Sequence, residues 1–469
     1  MHAPITHVLL LPLPLPLPEP LPLPEPLPLP AVSMITSPPA PASRFDADGL
    51  NPHATNARNR SHRTPSLYRA CVDESAVGFI LALGRALHRY GTPAHRLEQG
   101  LRVCCDRLGL EAELFTTPTT IIMSFGRPTE LRTRMMRVEG GELDMGKLAL
   151  VDGLADDVAA HRMSPADGVI ALDKIITGKP QFGRGISTLT GGVTAAALAV
   201  FFGASLPEVA AAGALGLVLG LLAQFVSRST DQARVLELVG AAVAAFASTL
   251  AASVWDINAS LVTVASLIIF LPGMSLTVAM TELATRNLIA GTARLVSAVI
   301  VLLELVVGVA LGEQLANVFV HVTAIEPAPL PEWTRWVALA AASLGSAVVV
   351  QARPKQIGWI ILACVIGYVG SRAGTAWLGS QMGVLVGAFA LGVLSNLYAR
   401  YLDRPAQVVQ VPAVFLLVPG SMGFRGMTSL LDKNTLSGVE TLFAMFVVAI
   451  AIVAGLLVSN AVIPPRRSL

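Results

Sequence analysis

The chain has 469 residues, of which 53% are hydrophobic and only 14% charged, with a formal net charge of +2 and a mean hydropathy of +0.64. So neutral a balance excludes a protein that holds nucleic acid by bulk electrostatics. A soluble globule of this length would not string together ten long apolar runs, so the composition points to a membrane protein.

Residues 1–70 read as a disordered, Pro-rich tail. The stretch LPLPLPLPEPLPLPEPLPLP at 11–30 has proline at nearly every second place, which favours polyproline II. A secretory signal needs a helical apolar region, so this run is not one. An SH3-type ligand, a dispensable tail, or a start placed too early with Met34 available are the readings left open.

Residues 71–180 change character and predict a small α/β domain in the cytosol. Ala76, Phe79, Ile80, Leu83 and Leu87 recur at helical spacing. A second helix is expected from a Thr92 cap with Pro93 at its first position, burying Leu97, Leu101, Cys104 and Leu108 and ending at Gly109. Strands are predicted near 111–116, 119–125 and 133–139. Helices follow at 144–161 and 165–177, the second opened by a Ser164-Pro165-Ala166-Asp167 capping pattern, the first closed by His161. Four cysteines, Cys71, Cys104, Cys105 and Cys364, have no metal spacing and are expected as reduced thiols. No cofactor is implied.

Residues 185–463 hold ten apolar segments, near 187–203, 208–227, 235–254, 258–280, 290–312, 334–352, 356–376, 381–400, 406–425 and 437–462. Most suit the roughly 20 residues that cross a bilayer. Trp333 and Trp336 sit where the short sixth segment meets an interface. Arg184, Arg228, Arg234, Arg286, Arg353, Lys355, Arg400, Arg404, Arg466 and Arg467 fall on one side, and the opposite loops at 204–207, 255–257 and 313–333 carry no lysine or arginine. The positive-inside rule then places both termini in the cytosol, with Arg372, Arg425 and Lys433 as exceptions.

Two windows of this region, 207–291 and 354–438, superimpose without a gap. Pro207 meets Pro354 and Pro272 meets Pro419; Gly220, Gly240, Gly273 and Gly291 meet Gly367, Gly387, Gly420 and Gly438. Ser248/Ser395, Asp256/Asp403, Thr281/Thr428 and Asn287/Asn434 share the offset. Five segments per copy is an odd number, so the second copy enters from the other side. The predicted fold is an all-α membrane domain of ten transmembrane helices in a 5+5 inverted repeat: 185–312 is the first unit and 334–463 the second. Alternating access around a midplane site fits that architecture.

Each copy carries a Pro-Gly inside a membrane segment, IIFLPGMSLT at 268–277 and FLLVPGSMGFRG at 415–426. Such a break frees backbone groups that need polar partners. A half-helix N-terminus suits a carboxylate and the released carbonyls an ammonium, the two ends of an amino acid. A plain packing kink is the alternative. The candidate binding residues are Pro272, Gly273, Ser275, Thr281, Asn287, Pro419, Gly420, Ser421, Arg425, Thr428 and Asn434, with Thr277, Glu282 and Asp432 also nearby. For the two asparagines the competing reading is a helix cap, and for Arg425 the outer mouth. Glu304 sits midway along an apolar span, so it faces a cavity, pairs or is protonated. It is the candidate for proton coupling, against a structural hydrogen bond. In the N-terminal domain, Arg85, His88, His95, Arg96, Glu98 and Thr116–Thr120 read as a solvated face before a ligand-sensing one.

The ordered run LALGRALHRYGTPAHRLEQGL, LGLEAELFTTPTTIIMSF, GELDMGKL, SPADGVIALDKI, FLPGMSLTVAMTEL and LLVPGSMGFRGM resembles the threonine/serine exporter family over about 71–463. The resemblance implies an inner-membrane secondary exporter of threonine and serine driven by the proton motive force, with a hydrophilic N-terminal domain before ten spans. Its partners would be the amino acid, protons, the bilayer and a homo-oligomer if one forms, with no nucleic acid. A membrane-anchored hydrolase using 71–180 and a non-transporting sensor are the readings from other classes.

Overall fold

The computed structural model describes residues 73–127, 129–141, 143–226, 235–320, 322, 328–431 and 433–464. The expectations for residues 1–70, Cys71, Arg228, Arg234, Asp432, Arg466 and Arg467 lie outside the described residues.

The N-terminal segment opens with α1 (Glu74–Arg89), capped by the Asp73 carboxylate, which accepts from Ser75 N–H at 2.9 Å. Its predicted stripe of Phe79, Ile80, Leu83 and Leu87 is buried. Helix α2 (Ala94–Arg107) departs from expectation at its start. Pro93 occupies the cap position without a side-chain bond, and the Thr92 hydroxyl is buried without a partner. Leu108 is only half-buried, and Gly109 (φ +70°) ends the helix in the left-handed region, as expected.

Three antiparallel strands follow, β1 (Ala112–Thr116), β2 (Thr120–Phe125) and β3 (Arg132–Arg137), in spatial order β1-β2-β3. Ile121, Met123 and Phe125 of the central strand face the core, while β3 is largely exposed. Helix α3 (Met145–Ala159) is capped by Asp144. Helix α4 (Pro165–Thr177) has the predicted cap: Ser164 Oγ accepts from Asp167 N–H at 3.2 Å and donates to the Asp167 carboxylate at 2.7 Å. The sheet of this segment is thus small, three strands against four helices among the described residues.

The apolar region gives α5 (Arg184–Phe201), α6 (Leu206–Val226), α7 (Leu236–Ala252), α8 (Ala259–Ser266, continued by a 3-10 turn at Leu267–Ile269), α9 (Gly273–Ala284), α10 (Leu288–Asn317), α11 (Thr334–Val349), α12 (Pro354–Leu402), α13 (Gln407–Val414), α14 (Gly420–Leu431) and α15 (Thr435–Val462). By length and composition α5, α6, α10, α12 and α15 can each cross a bilayer, and the α8–α9 pair, bent by 60°, makes a sixth crossing if it is one span. Helices α7 and α11 are shorter and apolar. Helix α12 holds two predicted segments. Gly379 (φ 82°, ψ 170°) leaves the helical region, and the two arms fold together so closely that a Cβ on Gly370 would lie 3.0 Å from the Gly387 Cα. Large apolar side chains such as Leu221, Phe225, Leu311, Phe443 and Val458 are exposed on the outer helix faces, a pattern suited to lipid rather than water. Trp333 and Trp336 are exposed at the start of α11, where interface aromatics were expected.

The N-terminal segment packs on the ends of these helices. Met145 N–H donates to Val350 C=O (2.8 Å), and Phe182 N–H to Gln351 Oε1 (2.8 Å). A single apolar core joins Leu148 and Val151 to Val350, Val408 and Val409.

The two repeat windows fold alike locally. Arg286 and Lys433, at matched positions, both take left-handed φ (66° and 61°). Asn287 and Asn434 follow with φ/ψ of −83°/66° and −87°/67°. Gly291 faces Leu283 and the Ala279 carbonyl, and Gly438 faces Leu430 and the Gly426 carbonyl, each carbonyl 3.0 Å from where a Cβ would sit. All four contacts obey the sequence offset.

Candidate functional site

Pro272 caps α9, and Pro419 lies just before α14. The two breaks meet. A Cβ built on Gly273 would lie 3.2 Å from both Cα and N of Gly420, and one on Gly420 would lie 3.1 Å from Gly273 Cα. Backbone touches backbone here, and only glycine allows it. The two half-helices therefore begin at one point, which brings two sets of N-terminal N–H groups and two positive dipole ends together.

A cavity of about 120 Å³ opens beside this contact, lined by Gly273, Gly420, Met274, Phe415, Thr194 and Ser346 among others. The Thr194 hydroxyl is buried without a hydrogen-bond partner. A second cavity, about 110 Å³, lies on the other side of Met274, between α9, α13, α15 and the α1–α2 corner. Thr281 lines it. Its hydroxyl donates to the Thr277 carbonyl (2.8 Å), as Thr277 donates to that of Gly273 (3.1 Å) and Thr285 to that of Thr281 (2.9 Å). Thr285 Oγ1 also accepts from Asn287 Nδ2 at 3.3 Å.

Other expected residues are spread out. Ser275 is exposed and lines neither cavity. Ser421 and Thr428 are half-buried on α14, where Thr428 Oγ1 donates to the Arg425 carbonyl at 2.9 Å. Asn287 and Asn434 begin α10 and α15 without a side-chain cap bond. Each is roughly 20 Å along its half-helix from the break at ~1.5 Å per residue, so neither reaches the glycine contact. Arg425 stacks its guanidinium 4.5 Å above the Phe202 ring. Glu304 is half-buried on α10 and lines a lateral groove.

Sequence reasoning missed the roles of three acids. Glu237, at the start of α7, lines the same groove as Glu304, which places two carboxylates on one wall. Glu208, 1% exposed, accepts from Ser205 N–H (2.7 Å) and Asn258 N–H (2.7 Å), tying two loops together. Most consequential is Glu282 at the far end of α9, with 0% exposure. It accepts from Arg294 Nε at 3.0 and 3.1 Å and from Ala94 N–H at 3.1 Å. This carboxylate caps α2 from another part of the chain, which is why Thr92 is not needed. The only sequence signal was an acid in an apolar helix with an arginine three turns on.

The expected solvated face holds for Arg85 and Thr119, which are exposed, and is corrected at the α1–α2 corner. The α1–α2 corner docks against α9. His88 is 6% exposed, and its pKa is lowered by burial first and then by Arg294. His95 and Arg96 line the second cavity. Burial, then Arg96, brings the His95 pKa down to about 4, and burial alone lowers that of Arg96. Glu98 turns the other way and accepts from Thr116 N–H (2.8 Å) and Oγ1 (2.9 Å). Cys104 and Cys105 are buried free thiols whose pKa values burial pushes up to about 12. No metal-binding cluster occurs among the described residues.

Comparison with known proteins places the chain in a family of membrane exporters. Residues 78–316 match the family described as putative threonine/serine exporter, and residues 335–462 match a second profile of threonine/serine exporters. Pheromone-regulated membrane protein 10 of Kluyveromyces lactis is 30% identical over 363 residues, covering 75% of this chain and 38% of the relative. The proteins of that name from Zygosaccharomyces rouxii and Candida glabrata are 27% and 25% identical over 418 and 464 residues, covering 82% and 90% of this chain. The chain spans 43% and 58% of their lengths. No solved structure matches. The chain, a membrane protein with several apolar helices, belongs to the threonine/serine exporter family.

Proposed function

We propose that the protein exports threonine, serine and similar small hydroxy amino acids across the cell's inner membrane in exchange for protons. In this reading 1–70 is a tail, 71–180 a cytosolic domain, and 185–312 and 334–463 two five-span units of opposite orientation, with both termini cytoplasmic. The observation that carries it is the backbone contact of Gly273 with Gly420. Two half-helix N-termini at one point present orphan N–H donors to a carboxylate, and the carbonyls released before each break suit an ammonium. The adjoining cavity, with the free Thr194 hydroxyl, takes a small hydroxylated side chain.

Alternating access follows from a site shared by two similar units, each of which can rock against the other. Proton coupling is assigned to Glu304, with Glu237 beside it. Both carboxylates line one lateral groove of the apolar region, the setting in which an acid can serve as a proton carrier. Family membership points to transport rather than catalysis. The test is efflux from cells preloaded with threonine- or serine-containing dipeptides, with and without a protonophore. Protein-dependent efflux that the protonophore abolishes is expected; efflux equal to that of cells lacking the protein would refute the reading.

A further inference from the structure

We propose that the cavity under the α1–α2 corner is a station for the carboxylate of a small amino acid, with Arg96 as its counter-charge, so that the N-terminal segment contributes directly to substrate binding. The proposal rests on the export reading and adds a second, separate site to it. Arg96 lines this cavity, and among the described residues its guanidinium makes no ion pair or hydrogen bond. Glu98, one turn away at most, is already occupied by Thr116. An arginine stays charged at any physiological pH. A half-buried cation without an anion is costly, and a carboxylate offsets that cost through paired, charge-assisted hydrogen bonds.

Beside it, the Nδ1 atom of His95 is fully buried and has no hydrogen-bond partner. With a pKa near 4 the ring is neutral at neutral pH, so it neither repels an ammonium nor competes for the carboxylate. Thr281, Gln410 and Asn460 supply further polar atoms around the wall, and Val278 an apolar one. The space of about 110 Å³ has room for a small molecule.

The repeat supplies an independent argument. The position matched to Arg425 in the second unit is Val278 in the first, and Val278 faces this cavity. The first unit lacks the cation that the second carries on its own half-helix. Arg96 restores it from α2, held in place by the bond between Ala94 N–H and Glu282. Met274 borders both cavities, so the station adjoins the central site.

The test uses the full chain purified in detergent, with L-threonine as the probe. Equilibrium dialysis should show saturable binding, competed by L-serine and not by isopropanolamine, which keeps the amine and hydroxyl but lacks the carboxylate. Two saturable sites per chain are expected; Arg96→Gln should weaken one of them at least about tenfold and leave the other, and Arg96→Lys should recover part of the loss. Arg102→Gln, on the exposed face of α2, should change nothing. A second measurement leaves Arg96 intact. In a Cys71→Ser background, L-threonine should slow alkylation of Thr281→Cys, while Cys104, Cys105 and Cys364 stay silent because they are buried. Unchanged binding in Arg96→Gln, no L-threonine binding by the parent protein, or no protection at 281 overturns the proposal. Export is read separately in cells. Efflux with Arg96-independent binding removes the station and keeps the exporter; Arg96-dependent binding without efflux keeps the station and removes the exporter.

Discussion

The two broken helices share a backbone and differ in their charges. In both, a Pro-Gly starts a twelve-residue half-helix, α9 or α14, and a left-handed residue and an asparagine end it. Around the first, Glu282, Arg294 and the α2 N-terminus form a buried cluster. The matched positions in the second are Ser429 and Thr441, and the cation within its half-helix, Arg425, lies over an aromatic ring. Duplication therefore accounts for the geometry at the centre, and the unmatched side chains make the two faces unlike. One face carries a docked N-terminal segment and the other does not.

The largest expected effect concerns an unmatched residue. Glu304 has Ala451 as its counterpart, so coupling would reside in one unit alone. Glu304→Gln should abolish pH-driven net efflux while equal-concentration exchange of threonine stays within about twofold, because the amide cannot release a proton. Glu237→Gln should weaken the pH response without removing it. Proteoliposomes under an imposed pH gradient give both numbers, and intact pH-driven efflux in Glu304→Gln would leave that residue a structural role only.

Next is the cluster that ties α2 to α9. Glu282→Ala leaves Arg294 without its partner and Ala94 N–H without its cap. Breaking a buried pair costs about 3 kcal/mol, the low end being apt because Arg294 is 27% exposed. Hydrogen exchange of the full chain should then rise through α1 and α2 and stay unchanged in α14. Glu282→Asp, which keeps the charge on a shorter stem, should lose less. Equal protection of α2 in parent and Glu282→Ala would show that apolar packing alone holds the corner.

The glycine contact tests what the halves share. A leucine at 273 or 420 must intrude on backbone that is already within 3.2 Å. Transport should fall at least about tenfold, equivalent to roughly 1.4 kcal/mol, and by similar factors for the two variants at matched membrane expression. A large asymmetry between them would mean that the contact serves one unit's packing rather than a shared site.

These comparisons also show what was legible in the amino-acid order. The paired breaks were visible because proline and glycine are rare and report backbone geometry directly: a Pro-Gly means an interrupted helix whatever surrounds it. Helix limits were visible for the same reason at Gly109 and at the Ser164 cap. The α2 cap was misread because its acceptor, Glu282, lies 188 residues away, and local rules search only the neighbouring turn. His95 and Arg96 were assigned to water because a polar helix face looks the same whether it meets solvent or the polar end of another helix. Asn287 and Asn434 were grouped with the breaks by proximity in sequence, yet a half-helix of this length carries them well away.

Acidification should act on the docked face alone. The His95 pKa falls from an ordinary 6.5 to about 4 in the folded protein, so the unfolded or undocked corner binds the proton more readily. Stability from this group is complete above about pH 6.5 and is lost as pH falls towards 4. Because His95 is not fully enclosed, the loss is discounted to about 1 kcal/mol. Protease resistance of α2 should decline across that window, and His95→Gln should flatten the decline. An equal slope in that variant assigns the acid sensitivity to other groups.

The smallest effect is expected at Arg425, the cation on the undocked face. Its guanidinium is exposed and already satisfied in part by the Phe202 ring at 4.5 Å, a contact worth about 0.5–1 kcal/mol at such a site. Arg96 has no comparable partner among the described residues and sits in a cavity rather than on an open surface. A charge in a restricted site acts more strongly on a ligand than one that water and salt can screen. Arg425→Gln should therefore slow threonine efflux about threefold, and Phe202→Leu, which frees the same guanidinium, should change it by less than about twofold. The Arg425→Gln deficit should shrink as ionic strength rises from 0.01 to 0.15 M, since the Debye length falls from about 30 to about 8 Å; any Arg96→Gln deficit should persist. If Arg425→Gln instead costs as much as Arg96→Gln at every salt concentration, the two faces hold equivalent anion sites, and the asymmetry between the halves is one of docking alone.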